Sequence, residues 1–343
     1  MRTIANLSLV AVLSLGLAAC GGDDDKKASE PTRPTTTRPG QPGLPADAAP
    51  LTALNQPDAA LRQRVALVVK IDNAPQGRPQ SGLNQADIVY EEMVEGGVVR
   101  LAAVYQSTDA DPVGPVRSAR STDIGFVSAL NRPLFAYAGT NAVTQKAVSA
   151  APLVDLSAGP GYRREPKRRA PYNLFTSTAA MFGRAPKDAG PPPPQFSYRP
   201  PDTPLASAGA APAQRAHIQY KGRVVTDVDY EWNGSSWARK QNGTPHVDTA
   251  GAQVAPANVV IQFVNYKDTG LVDRSNTGVP EGQLIGEGEA WVLSDGKIVK
   301  GRWAKANLTD VTRFTDPAGA PIPLTPGRTW VELPPPGSAT AGA

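Results

Sequence analysis

Asp87-Ile88-Val89-Tyr90-Glu91-Glu92-Met93-Val94-Glu95-Gly96-Gly97-Val98-Val99-Arg100-Leu101-Ala102-Ala103-Val104-Tyr105-Gln106 reads as two strands around a tight turn. β-branched and aromatic residues fill both runs, and a glycine pair between such runs signals a hairpin. With Gly96-Gly97 as the loop, Glu95 faces Val98, Met93 faces Arg100 and Glu92 faces Leu101. Side chains alternate along a strand, so one face carries Val89, Glu91, Met93 and Glu95 beside Arg100. The other carries Ile88, Tyr90, Glu92 and Val94 beside Val99, Leu101 and Ala103. Arg100 then lies diagonally between Glu91 and Glu95, at roughly 7–8 Å backbone spacing, which long side chains close. Glu92 stands alone on an apolar face, where a carboxylate needs a partner or a raised pKa. A buried ion pair with an arginine is the structural reading of Glu92, and a general acid is the chemical one.

Outward from the hairpin, Val65-Ala66-Leu67-Val68-Val69-Lys70-Ile71-Asp72 is a buried strand, and 73–83 is a loop rich in Pro and Gly. Residues 118–131, 141–150 and 176–182 read as helices, and 134–137 and 153–156 as strands. This mixture predicts an α/β (or α+β) domain over 61–184. Residues 185–212, rich in Pro, Ala, Ser and Gly, are expected as a linker. Beyond them, short strands with turns at Asn233-Gly234 and Asp295-Gly296 predict a mostly antiparallel β domain over 213–334. A disordered tail is expected at 335–343.

Gly114-Pro115-Val116-Arg117-Ser118-Ala119-Arg120-Ser121-Thr122-Asp123 looks like the entry to a helix. Ser118 or Ser121 suits the cap, and Asp123 suits the positive end of the dipole. Backbone N–H groups with Arg117 and Arg120 beside them make an anion site. Equally, the arginines neutralise Glu91, Glu92, Glu95 or Asp72 within the fold. Both hold if the network lines a cleft, so the expected ligand-binding set is Asp72, Glu91, Glu92, Glu95, Arg100, Arg117, Ser118, Arg120 and Asp123. Arg163-Arg164-Glu165-Pro166-Lys167-Arg168-Arg169 is a basic loop, read as a solvated run or as a contact for an anionic lipid or polymer.

Cys20 is the only cysteine, and it closes Leu17-Ala18-Ala19-Cys20 after an apolar run with Arg2 ahead of it. That is the layout of a lipoprotein signal over 1–19, with cleavage before Cys20 and lipidation of its thiol. The mature chain is then expected to be anchored by diacylglyceryl-type (palmitate-bearing) lipid to the cell membrane on its extracytoplasmic side. Residues 20–60 are Pro-, Thr- and Gly-rich and expected as a disordered tether. Removing Arg2 takes the formal net charge from +4 to +3, too weak to predict nucleic-acid binding. Gly-x-Ser-x-Gly, His-Glu-x-x-His and nucleotide-binding glycine loops are absent, so no cofactor is expected. With one lipidated cysteine and only His217 and His246, no metal site is expected either.

Lys70-Ile71-Asp72-Asn73, Pro79-Gln80-Ser81-Gly82-Leu83, Ala86-Asp87-Ile88-Val89-Tyr90-Glu91, Glu95-Gly96-Gly97 and Pro115-Val116-Arg117-Ser118-Ala119-Arg120 stand together in this chain. They are joined by Pro245-His246-Val247-Asp248, Asn258-Val259-Val260, Asp295-Gly296-Lys297 and Gly327-Arg328-Thr329-Trp330. The joint pattern resembles the YerB-like lipoproteins, the DUF3048 family, over about 61–333. The resemblance implies a two-part module on a bacterial lipoprotein and supplies no activity. In that family a histidine often stands where this chain has Tyr172, so the resemblance gives no catalytic histidine here. Two functions remain. One is a binding module for an anionic or glycan envelope ligand or an envelope protein. The alternative is a carboxylate enzyme on cell-wall glycan, with Glu92 as acid and Asp72 or Glu91 as its partner.

Overall fold

The computed structural model describes residues 44–273 and 276–343; the expected signal peptide, Cys20 and most of the tether lie outside them. Among the described residues the chain is built mainly of strands. β1 (Leu67–Asp72), β2 (Ile88–Met93), β3 (Val99–Tyr105), β4 (Leu134–Ala136) and β5 (Val154–Asp155) form half of a large mixed sheet. Its order is Arg313–Thr315, Lys297–Lys305, Gly286–Ser294, Asn258–Gln262, Thr329–Leu333, β2, β3, β1, β4, β5. The C-terminal half is mostly antiparallel, as expected, with a second sheet of Arg215–Lys221, Val225–Trp232, Trp237–Gln241, Thr244–Pro245 and Ala339–Gly342.

The sequence boundary at 185–212 separates two sections, yet one sheet runs through both. Thr329–Leu333 lies parallel to β2, with Ile88 opposite Thr329 and Glu92 opposite Leu333, and pairs on its other edge with Asn258–Gln262. A strand from the chain's end thus sits mid-sheet, where its backbone groups are satisfied on both sides.

The two faces of this sheet carry different cores. Leu67, Val69, Ile71, Val89, Leu101 and Trp330 pack against Ile218, Tyr220, Val228, Tyr230 and Trp237 of the second sheet. Val68, Ile88, Tyr90, Ala102, Val104 and Val331 pack against the helical side. There α2 (Ser121–Val127), following the short α1 (Ala59–Arg62), lays Phe126 on Tyr90 with ring centroids 4.2 Å apart and planes 7° apart. The expected helix over 118–131 is shorter, and continues only as the 3₁₀ turn Ser128–Leu130. α3 (Ala142–Ala150) and α4 (Thr178–Phe182) start at side-chain caps from Asn141 and Ser177.

The hairpin register differs from the expected one by a residue. Glu92 faces Arg100 and Glu91 faces Leu101, because the loop holds three residues, Glu95–Gly97, rather than two. Gly96 at φ 69° and Gly97 at φ 82° both take left-handed backbone, and Val94 N–H closes on Val98 O. Three-residue hairpin loops of this kind are the next most common after the two-residue ones. Gly97 also packs on Gly222 between β strands of the second sheet: a Cβ on Gly222 would lie 2.4 Å from the Gly97 nitrogen. Alternation along β2 survives the slip, so Glu91 and Glu92 still point to opposite faces. Arg100 changes sides and joins Glu92.

Three segments expected as linker, tail or tether are packed. In 185–212, Phe196 and Leu205 are buried and Ser197–Tyr198 pairs with Pro323–Leu324. Ala339–Gly342, expected disordered, adds an edge strand to Arg215–Lys221. Residues 48–51 of the expected tether bury Ala49 and Leu51. In each case a few apolar side chains or a free sheet edge suffice to fix a stretch whose composition looks unstructured.

Candidate functional site

The hairpin charges divide between the two faces of the sheet, but not in the expected groups: Arg100 and Glu95 join Glu92 on the helical side, and Glu91 stands on the other. On the helical side, Lys70 of β1 is fully buried between Glu92 of β2 and Asp123 of α2, with Nζ 2.7 Å from the Asp123 carboxylate and an ion pair to Glu92. Asp123 also accepts the Arg120 backbone N–H at 2.7 Å, which satisfies the start of α2. Burial first, and then the Asp123 carboxylate, push Glu92 up to about 7 against the pull of Lys70.

Beside this trio the charges reach solvent. Arg120 grips Glu95 through two bonds of 2.5 and 2.9 Å. Arg117 pairs with Asp72, and its guanidinium carbon sits 5.6 Å from the Tyr172 ring. Asp72 also accepts the Ala74 N–H at 2.6 Å. The Ser118 hydroxyl donates to Ala138 O at 3.0 Å. Arg100 is the exception. Among the described residues its side chain makes one hydrogen bond, a long one of 3.3 Å to Ser118 O, and its nearest carboxylate oxygen, on Glu95, is 3.9 Å away and already holds Arg120. Its side chain is 11 % exposed. Burial, and then the Arg120 guanidinium, push Arg100 down to about 10. The structure therefore brings together Asp72, Glu92, Glu95, Arg100, Arg117, Ser118, Arg120 and Asp123, and places Glu91 on the other side of the sheet.

Glu91 belongs to a second network that sequence reasoning missed. It takes hydrogen bonds from Arg239 at 2.7 Å, Trp330 at 3.1 Å and Asn73 at 3.1 Å. Glu332 lies beside it and accepts from Tyr220 and Tyr230, each at 2.7 Å. Arg239 also donates to His246 Nδ1 at 2.5 Å, and His246 Nε2 donates to Gln80 at 2.8 Å, which assigns a neutral ring. Burial, then Arg239 and Arg78, hold His246 well below its usual range. Burial, then Glu91, push Glu332 up to about 8. Lys70, Arg239 and Glu332 each stood as a charge within a strand-like run, a signal that marks a buried partner without saying which. Among the described residues no three His, Cys, Asp or Glu side chains converge where a metal could sit.

The N-terminal domain of DUF3048, a protein of unknown function, matches residues 51–190, and the DUF3048 C-terminal domain matches residues 216–331. The chain belongs to the DUF3048 family. YerB of Bacillus subtilis (strain 168), which bears the name of a lipoprotein, is 26% identical over 300 residues, covering 84% of this chain and 86% of YerB. The crystal structure of YerB superposes with a TM-score of 0.72 at 23% identity, covering 86% of this chain and 99% of the YerB chain. The fold is thus shared with YerB. In this DUF3048 chain the Glu91–Arg239 pair joins the two matched segments directly.

The raised carboxyls set a pH dependence. A carboxyl whose folded pKa lies above its ordinary 4.5 stabilises the fold fully below 4.5, and that contribution is lost as pH rises through the folded value. For Glu92 and Glu332 the loss runs to about 7 and about 8, at about 1.4 kcal/mol per pH unit per group. His246, whose folded pKa is depressed, acts oppositely, but only below its ordinary 6.5. Thermal midpoints are therefore expected to fall from pH 6.5 to 8.5, and Glu332→Gln to flatten that fall. A midpoint rising over this window would contradict the assignment.

Proposed function

We propose that the chain is a membrane-anchored envelope lipoprotein whose folded part binds an anionic group at the arginine cluster of Arg100, Arg117 and Arg120. The anchor follows from the Cys20 signal and from the similarity to YerB. The binding reading rests on one observation: Arg117 holds Asp72 and Arg120 holds Glu95, which leaves Arg100 3.9 Å from a Glu95 oxygen that is already taken and with no carboxylate in hydrogen-bond reach among the described residues. A guanidinium offers five donors, and Arg100 uses one of them. A carboxylate or phosphate seated there would take the free donors in a poorly solvated place, where charge-assisted bonds are strong. The glycan-hydrolase alternative has no such support, because Glu92 is 1 % exposed beneath Lys70 and Glu91 points to the opposite face.

Arg100→Gln tests the site. It removes an under-compensated buried charge and leaves Glu95 held by Arg120, so the melting temperature is expected to hold or rise. Anion affinity should fall at least ten-fold. Equal loss of stability and affinity would make Arg100 a structural counter-charge. Cys20→Ser tests the anchor: the protein should move from the membrane to the soluble extracytoplasmic fraction and lose lipid label. Retention in the membrane would refute it.

A further inference from the structure

The arginine cluster does not end at Arg117. The Tyr172 ring beneath its guanidinium belongs to the turn that follows the basic loop, and Tyr172 N–H closes on Arg169 O at 2.9 Å. Such a turn keeps its end residues within roughly 7 Å of one another. The loop is also fixed to the segment beside Asp72. Arg168 donates to Gly77 O at 3.1 Å and to Pro79 O, and a Cβ on Gly77 would lie 2.9 Å from the Asp72 carboxylate.

The loop's charges are not equally occupied. Arg163 pairs with Asp111 and Glu165, Arg164 bonds Asn173, and Arg168 holds backbone carbonyls. Lys167 and Arg169 are exposed, and their side chains make no hydrogen bond or ion pair among the described residues. Residues 163–169 hold five cations and one carboxylate, a surplus of four, and the whole chain carries a formal net charge of +4. With Arg2 removed the mature chain is expected at +3, so this loop alone carries more positive charge than the chain as a whole and forms a local positive patch. A local field of one sign concentrates ligands of the opposite sign.

We propose that the anion site extends from Arg100 and Arg117 across Tyr172 to Lys167 and Arg169, and that its ligand is a polymer with repeated anionic groups. This rests on the anion-binding reading of the arginine cluster. A single small anion would be satisfied by Arg100 alone and would leave Lys167 and Arg169 without a role. A repeating polyanion places one group at the arginine cluster and the next groups on the loop, with the Tyr172 face between them.

The test uses the full chain in non-ionic detergent, titrated calorimetrically with inorganic phosphate and with long-chain inorganic polyphosphate at low and high salt. Polyphosphate is expected to bind at least ten-fold tighter per phosphate than inorganic phosphate, and to weaken steeply with salt. Lys167→Ala/Arg169→Ala should cost at least ten-fold in polyphosphate affinity and flatten the salt dependence, with less than a two-fold change for phosphate. Both residues are exposed, so the variant keeps the fold. Phosphate binding that is lost in Arg100→Gln, together with polymer binding no tighter than phosphate, would overturn the polymer and leave the arginine-cluster site. Absence of binding by both probes would overturn that site as well. Tighter binding to micelles doped with phosphatidylglycerol than to polyphosphate, lost in the double variant, would assign the loop to a lipid surface instead.

Discussion

Arg239→Ala is expected to cost about 3–5 kcal/mol, because it leaves Glu91 and Glu332 buried without their cation. All three side chains have no solvent exposure. Glu91 would keep its bonds from Asn73 and Trp330, and Glu332 those from Tyr220 and Tyr230, but neither would keep its ion pair. At roughly 2–4 °C per kcal/mol, the thermal midpoint should fall on the order of 10 °C. The effect should reach both matched segments at once, since Arg239 comes from the second and Glu91 from the first. Urea unfolding followed by tryptophan fluorescence measures it. Arg239→Met with Glu91→Gln and Glu332→Gln should recover most of the loss, because a neutral, well-packed replacement of a buried ion network is often near neutral. A single-variant loss below about 1 kcal/mol would mean that water reaches the network.

Lys70→Met is the second large effect, again about 3–5 kcal/mol. It sets Glu92 and Asp123 against each other in a place with no solvent exposure for Lys70 and Asp123 and 1 % for Glu92. Asp123 also holds the start of α2, so loosening should spread to the helix that stacks Phe126 on Tyr90. Without Lys70 the Glu92 carboxyl, already raised to about 7 beside it, is pushed higher still, so the deficit should be largest above pH 8 and shrink as Glu92 takes up its proton, and Glu92→Gln should restore much of it at pH 8. Far-UV and near-UV circular dichroism across pH separate the two. A deficit independent of pH would point to lost packing of the Lys70 stem instead of charge.

Much of the site was legible in the hairpin. Alternation alone places Glu91 and Glu92 on opposite faces, and the spacing of Arg117 and Arg120 suits both anion ligands and counter-charges. The structure pairs Arg117 and Arg120 with carboxylates and leaves Arg100 short of one. Which arginine was left over could not be read locally. The pairing of Arg100 depended on whether the turn held two residues or three, and Gly96 and Gly97 suit either. Their close contact with Gly222, far along the chain, accompanies the three-residue turn.

The sequence by itself determined the strand-rich character of the chain, the side of β2 to which each side chain points, and the family. These follow from period-two alternation and from short motifs, which are local properties of the chain. Only the tertiary structure decided that Thr329–Leu333 enters the sheet beside β2, that Arg239 neutralises Glu91, and that the stretches at 185–212 and 335–343 are packed. Parallel pairing between distant strands has no local signal, because hydrogen bonding is the same for any partner strand. The choice is made by which apolar faces close over which charges, and that depends on the whole sheet order.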